Sequence, residues 1–371
     1  MQEDIFVIDG VAHSFDMSPE NELHPKYSRP VVDLQASLFG AMPPPYGLDE
    51  EATKKDWPIE DTTNLLFRES CTDVAIFHPV PIPFFRDGLT GFHKALDATK
   101  RWPSRFIGSY CTVDPLKPDA IEEMERQVGE LDNCVGLKLY PLSWHDDRVT
   151  TWRMDDPAVG FPLYEKAREL GLTSIAVHKS IPLGPAPDWQ AFNPEDVEGA
   201  ADAFPDLNFS IVHGGMSFTE ETAWLVGRYP NIWLNMETLN LQLVLRPRVF
   251  AEVMAGVLAV GGESVLERMY WGTGTMNCHP RPGLEAFMEF QFPEDVMERV
   301  GTFFPIPQLT HDHKRAILGG NIARLHGLDV EALKAGIEAD EFAGTQGRPL
   351  PVPYSTTSLA GAVKPAATVG S

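Results

Sequence analysis

The sequence predicts a single TIM-type (β/α)8 barrel, and three observations carry that prediction. Eight short runs rich in Ile, Val and Leu recur along the 371 residues, the pattern of parallel strands buried on both faces. Amphipathic stretches of helical length separate most of them, as βαβ units require. Polar side chains close several of the runs, above all His13, His178 and His213. In such a barrel the C-terminal ends of the strands are where an active site is assembled. An open doubly wound sheet is the competing architecture, but no Gly-x-Gly-x-x-Gly follows the first run.

Taken in order, the first run covers residues 5–9 and leads through Gly10, Val11 and Ala12 to His13. The second, 73–78, ends on His78 and is followed by an apolar, proline-rich stretch to Phe85, with Arg86 beyond it. The third is 105–113, and an amphipathic stretch at 120–130 separates it from the fourth, 134–140, which carries Lys138. A helix at 162–170 leads to the fifth run, 173–178, closing on His178. A helix at 194–204 precedes the sixth, 207–213, closing on His213. Stretches at 220–229 and 247–258 flank the seventh, 231–237, which ends on Glu237. The eighth is 268–273, and His279 follows it in Asn277-Cys278-His279-Pro280.

Two segments break the rhythm. Residues 14–61 form a long insertion after the first strand, containing Pro43-Pro44-Pro45 and a charged stretch at 50–55. Insertions of that length serve as lids or binding loops, and this one leaves the catalytic face; a flap or subunit contact is the alternative. The tail, 344–371, is rich in Pro, Ala, Ser, Thr and Gly and is expected to be mobile or wrapped on a neighbouring subunit. Residues 1–343 are thus read as one catalytic domain.

Composition bounds the function. Hydrophobic content of 43% with 22% charged residues is that of a globular chain with a large core. The formal charge of −23 argues against nucleic acid and anionic membrane as partners and leaves a small molecule. No apolar stretch approaches the ~18 residues that span a bilayer. The N-terminal Met-Gln-Glu-Asp has neither a basic start nor an apolar core, so cytoplasmic residence is expected. Cys71, Cys111, Cys134 and Cys278 share no paired spacing and are read as reduced thiols.

Imidazoles delivered by different strands to one rim can converge on a divalent ion, and His13 and His178 are the first choices as ligands. At this point the chain resembles a known family. Ile8-Asp9-Gly10-Val11-Ala12-His13 is similar to the Ile-Asp-x-His-x-His opening of the amidohydrolase superfamily, in its branch of aminocarboxymuconate-semialdehyde and aromatic-acid decarboxylases. Further matches are Gly136-Leu137-Lys138-Leu139-Tyr140-Pro141, Val177-His178, His213-Gly214-Gly215, Trp271-Gly272-Thr273-Gly274 and residues 317–328. The resemblance implies a (β/α)8 barrel, a divalent metal (zinc, with manganese or iron as alternatives), and a catalytic histidine at His213. A homodimer is plausible on the same ground.

The departures are as informative. Val11 replaces the first metal-binding histidine, and Gly274 stands where the family has an aspartate that binds metal and moves protons. Glu237 and His279 are candidate replacement ligands beside His13 and His178, and loss of the metal is the alternative. Glu237 and His213 are the candidate catalytic pair, with Lys138, His78 and Arg281 as candidates for holding substrate. Lys138 has ion pairing and carbamylation as its other readings, and Lys179 is a further cation placed to meet an anionic group. Losing the aspartate weakens hydrolysis more than decarboxylation, because decarboxylation needs no attacking water. A metal-dependent carboxy-lyase of a small unsaturated or aromatic acid is therefore expected. Hydrolysis of a lactone, amide or related carbonyl compound is second, and a catalytically silent barrel third.

Overall fold

A computed structural model describes residues 5–186, 188–299, 303–344 and 349–361. Eight parallel strands follow one another around the sheet in sequence order. They are β1 (Ile8–Ala12), β2 (Val74–Phe77), β3 (Phe106–Thr112), β4 (Cys134–Leu139), β5 (Ser174–His178), β6 (Asn208–Val212), β7 (Ile232–Asn235) and β8 (Met269–Tyr270). Just beyond β8 the chain turns back onto β1. Gly10 N donates to Trp271 O at 3.0 Å, Gly274 N to Val11 O at 2.9 Å, and Ala12 bridges Thr275 in parallel. These contacts close the barrel. Nearly every strand residue is buried, which is why the runs read as continuously apolar rather than alternating.

The helices cover the outside. Ala120–Glu130, Gly160–Glu169, Val197–Ala203, Thr219–Arg228 and Pro247–Gly261 fall where amphipathic stretches were expected. Leu163, Tyr164 and Ala167 of one, and Phe250, Met254 and Leu258 of another, enter the largest apolar cluster together with strand residues Leu137, Ile175 and Ile211. The closing helix, Asn321–His326, packs Ile322 and Leu325 against Ile8, Val74 and Tyr270. Gly10 is required by that closure, since a Cβ there would lie 2.5 Å from Ile322 Cδ1 and 2.8 Å from the Tyr270 ring. A hairpin absent from the sequence reading, Leu142–His145 with Arg148–Thr151, follows β4. Its turn residues Asp146 and Asp147 take the positive φ that tight hairpin turns demand.

The first strand begins three residues later than expected, at Ile8, and runs up to Ala12. The insertion is more ordered than a loop. It contains a 17-residue helix, Pro25–Ala41, whose Val32, Ala36 and Phe39 form a buried stripe at helical spacing. Phe39 stacks on Trp57 at 5.4 Å, and Trp57 N donates to Phe15 O, so the insertion ends where it began.

Residues 349–361 lie against this chain's own barrel. Tyr354 is fully buried between the insertion and the loop after β8. Its N–H donates to Glu69, as do the N–H and hydroxyl of Thr356, at 2.8 and 2.6 Å. Ser358 N donates to Asp61 at 2.8 Å. The rest of the expected mobile tail, apart from Gly344, lies outside the described residues. Among the described residues no helix is long and apolar enough to cross a membrane. Truncating so large a buried ring costs about 3–5 kcal/mol. Tyr354→Ala is therefore expected to lower the urea midpoint strongly while far-UV circular dichroism stays native; an unchanged midpoint would mean the tail is not docked.

Candidate active site

Parallel strands deliver their last side chains to one rim, and the rim holds the chemistry. His13 follows β1, His178 ends β5, His213 follows β6, and Glu237 lies two residues beyond β7. These four, with Gln35, Thr238 and Asn277, form the polar part of a cavity of about 90 Å³. The rest of the wall is Phe15, Ile82, Tyr140 and Leu183, with Val31 and Leu38 beside Gln35 on the insertion helix as its roof.

Glu237, His213 and His178 form a continuous row. Glu237 Oε2 stands 2.7 Å from His213 Nδ1, His213 Nε2 2.9 Å from His178 Nδ1, and His178 Nε2 2.8 Å from the carbonyl of Ile181. A carbonyl only accepts, so the last contact requires a proton on His178 Nε2. Each of the other two contacts also needs one proton. Two neutral imidazoles bring only two, so the row is built to hold one proton more, with the Glu237 carboxylate beside it to balance the charge. Thr238 Oγ1 and Asn277 Nδ2 donate to Glu237 Oε1 at 2.9 and 2.6 Å and keep that oxygen anionic.

The backbone bends sharply to make this row. His213, Thr238 and Ser180 all sit at left-handed φ, 69°, 68° and 70°. Non-glycine residues in this region cost of order 1–3 kcal/mol each and cluster at functional sites. Gly214 and Gly215 continue the turn after His213 with φ of 54° and 82°.

Glu237 also explains Gly274. A Cβ at Gly274 would fall inside van der Waals contact of Glu237 Oε1 and Asn277 Nδ2, and 2.7 Å from Glu237 Cγ. The Glu237 side chain therefore occupies the space that a residue-274 side chain would enter. A carboxylate at the strand-seven end and a side chain at residue 274 therefore exclude each other. Val11 fills the neighbouring gap against Gly272.

Burial dominates the electrostatics. It pushes His13 from its ordinary 6.5 down to about 4, although nearby Glu237 pulls the other way. His178 and His78 are held well below the ordinary histidine range by burial, with further repulsion from charged neighbours including Lys138. Burial alone would raise the Glu237 carboxyl. The facing His213 ring, its hydrogen bond, and the charges of His13 and Lys138 instead hold it well below the usual carboxylate range. Lys138 is lowered by burial to about 7. Asp9 is raised by burial to about 6, against its bonds from Thr273 and Val11.

Other expected site residues are placed elsewhere. His279 is fully buried with Nε2 3.0 Å from Glu69 and Nδ1 accepting from Arg281 N, between the rings of Tyr46 and Tyr354. Capping the helix Pro280–Glu289 and binding Glu69 leave it no nitrogen for the cavity. Arg281 pairs with Glu285 at 2.8 Å and does not line the cavity. The His78 ring stacks on Tyr110 at 4.1 Å and donates to Gly10 O, so only its carbonyl serves the site, accepting from His13 Nδ1 at 2.7 Å. Lys179 is fully buried against Asp196 at 2.8 Å rather than facing a substrate. Lys138 makes no hydrogen bond or ion pair through its ammonium among the described residues, so its ion-pairing reading is not met: the two buried carboxylates near it are taken, Asp9 by Thr273 and Glu237 by His213, Thr238 and Asn277. Thr238, Asn277 and Tyr140 were not anticipated as site residues. Tyr140 has a signal in hindsight, being two residues beyond Lys138 on the same strand face.

The structure thus brings His13, His178 and Glu237 to one cavity and leaves His279 out of it. Among the described residues no group of three or more His, Cys, Asp or Glu side chains is arranged to hold an ion. His178 has spent both nitrogens, and His13 keeps only Nε2 open.

Residues 86–328 match the family model described as Amidohydrolase. No curated protein matches the chain. Among solved structures it is similar to an uncharacterized TIM-barrel protein from Bordetella bronchiseptica, at 18% identity and TM-score 0.59, covering 86% of this chain and 98% of the other. It is also similar to 2,6-dihydroxybenzoate decarboxylase from Rhizobium, at 16% identity and TM-score 0.52, covering 87% and 99%. At these identities the likeness is one of fold.

Two outcomes are expected. Gly274→Asp should destabilise by about 1–3 kcal/mol through overpacking against Glu237. Adding Glu237→Ala should recover part of that loss, and strict additivity in a double-mutant cycle would refute the shared space. The second concerns acid stability. The unfolded chain takes up a proton at His13 near 6.5, while the folded chain resists until about 4, so stability falls as pH drops through that window. His13→Gln should therefore lose about 2 kcal/mol less than the parent between roughly pH 7 and pH 5 in urea titrations.

Proposed function

We propose, from the premise that the chain belongs to the amidohydrolase family, that it is a carboxy-lyase acting on a small unsaturated or aromatic carboxylic acid. The supporting observation is the row itself: three side chains in line, able to hold a deliverable proton beside the apolar wall of Phe15, Ile82 and Leu183. Decarboxylation needs a proton donor to the carbon that loses CO2 and a place for the substrate's negative charge. The apolar wall positions an unsaturated ring or chain. The row delivers its extra proton to the carbon bearing the carboxylate, and the C–C bond then breaks. Its electron pair restores the unsaturated system, CO2 departs, and water refills the row.

His213 is the proton donor in this reading, His178 its reservoir, and Glu237 the counter-ion that keeps the proton in place. Hydrolysis of a lactone or amide is second. Glu237 would have to serve as the base for water, and a carboxylate held well below its usual range is a poor one. A silent barrel would have no reason to retain strain at His213, Thr238 and Ser180 around one buried ionic row.

The test is a panel of hydroxybenzoates and unsaturated acids. CO2 release with deuterium from D2O at the vacated carbon is expected, and His213→Asn should lower kcat by about 10²–10⁴. Water oxygen in the product without CO2 would overturn the lyase reading.

A further inference from the structure

Members of the amidohydrolase superfamily generally depend on a divalent metal, and the donor geometry of this rim disagrees with that habit. We infer that this barrel works without a divalent metal, because the side-chain donors at its rim do not fit one.

Four features support this inference. First, Val11 and Gly274 have no donor atoms, although they stand at the two positions where the family pattern has a ligand. Second, Glu237 refills the space beside Gly274 but turns both oxygens away from any shared centre. Oε2 faces His213, while Oε1 accepts from Thr238 and Asn277. Third, His178 has no free lone pair. To bind a cation it would have to release His213, leaving the latter's Nε2 proton buried without an acceptor. Of the histidine nitrogens and carboxylate oxygens that line the cavity among the described residues, His13 Nε2 alone remains open, and one imidazole is not a cage.

The fourth feature is Lys138. Its side chain is 1% exposed and its ammonium has no direct anionic partner among the described residues, lying 5.2 Å from the Tyr140 ring. Lys138 stands close enough to His13, His178 and Glu237 to act on each of them. A divalent ion held among those residues would meet a cationic side chain where a further ligand is needed.

The experiment is metal analysis that does not depend on turnover, so its failure is distinct from failure of the lyase reading. Protein grown with added zinc, manganese and iron is dialysed to equilibrium against each ion in turn, and bound metal is counted by mass spectrometry. The His13→Ala, His178→Ala double variant is run beside it as a measure of surface-bound metal. Expected is less than about 0.1 ion per chain above that variant, with an unchanged melting temperature in chelator. About one ion per chain, lost in the double variant, would overturn the inference. Metal retained by both proteins but lost on adding Glu237→Ala would overturn it as well, and metal retained by all three lies outside the rim and supports it.

Discussion

A carboxylate buried as completely as that of Glu237 survives only where donors answer its lone pairs and a charge answers its own. This constraint organises the mouth of the barrel. One oxygen takes Thr238 and Asn277, the other takes His213, and His213 in turn is held by His178. Left-handed backbone at His213 and Thr238 is what brings these groups into line. Removing one partner alone leaves a buried group unanswered, so the row stands or falls as a unit. The absence of a side chain at residue 274 belongs to the same solution, since the carboxylate fills that space.

The strands were legible because a parallel sheet covered on both faces has no polar alternation to confuse the reading. The strand-end positions of His13, His178, His213 and Glu237 followed directly from the barrel's geometry. What the sequence hid was side-chain direction. His279 and Glu237 both stand near strand ends, yet His279 turns outward to Glu69, a partner 210 residues away that no local pattern reveals. His78 likewise ends a strand, but stacks inward on Tyr110. Lys179 follows His178 directly and is consumed by Asp196, from the short turn before the next helix.

The insertion was hard to read for a different reason. Its sequence reads as a long loop, and a proline inside a helix removes an interior hydrogen bond. Pro30 lies in the second turn of Pro25–Ala41, and the buried stripe of Val32, Ala36 and Phe39 offsets that loss by packing. That helix gives the cavity its roof.

The docking of Tyr354, Thr356 and Ser358 onto Glu69 and Asp61 joins residues 285 to 297 positions apart. On the ribosome, every strand and helix of the barrel is made before these last contacts become possible. The nascent barrel therefore passes through a stage in which β1 and β8 can meet but Glu69 and His279 lack their cover. The order of synthesis thus makes the cover over Glu69 and His279 the last part of this fold to form.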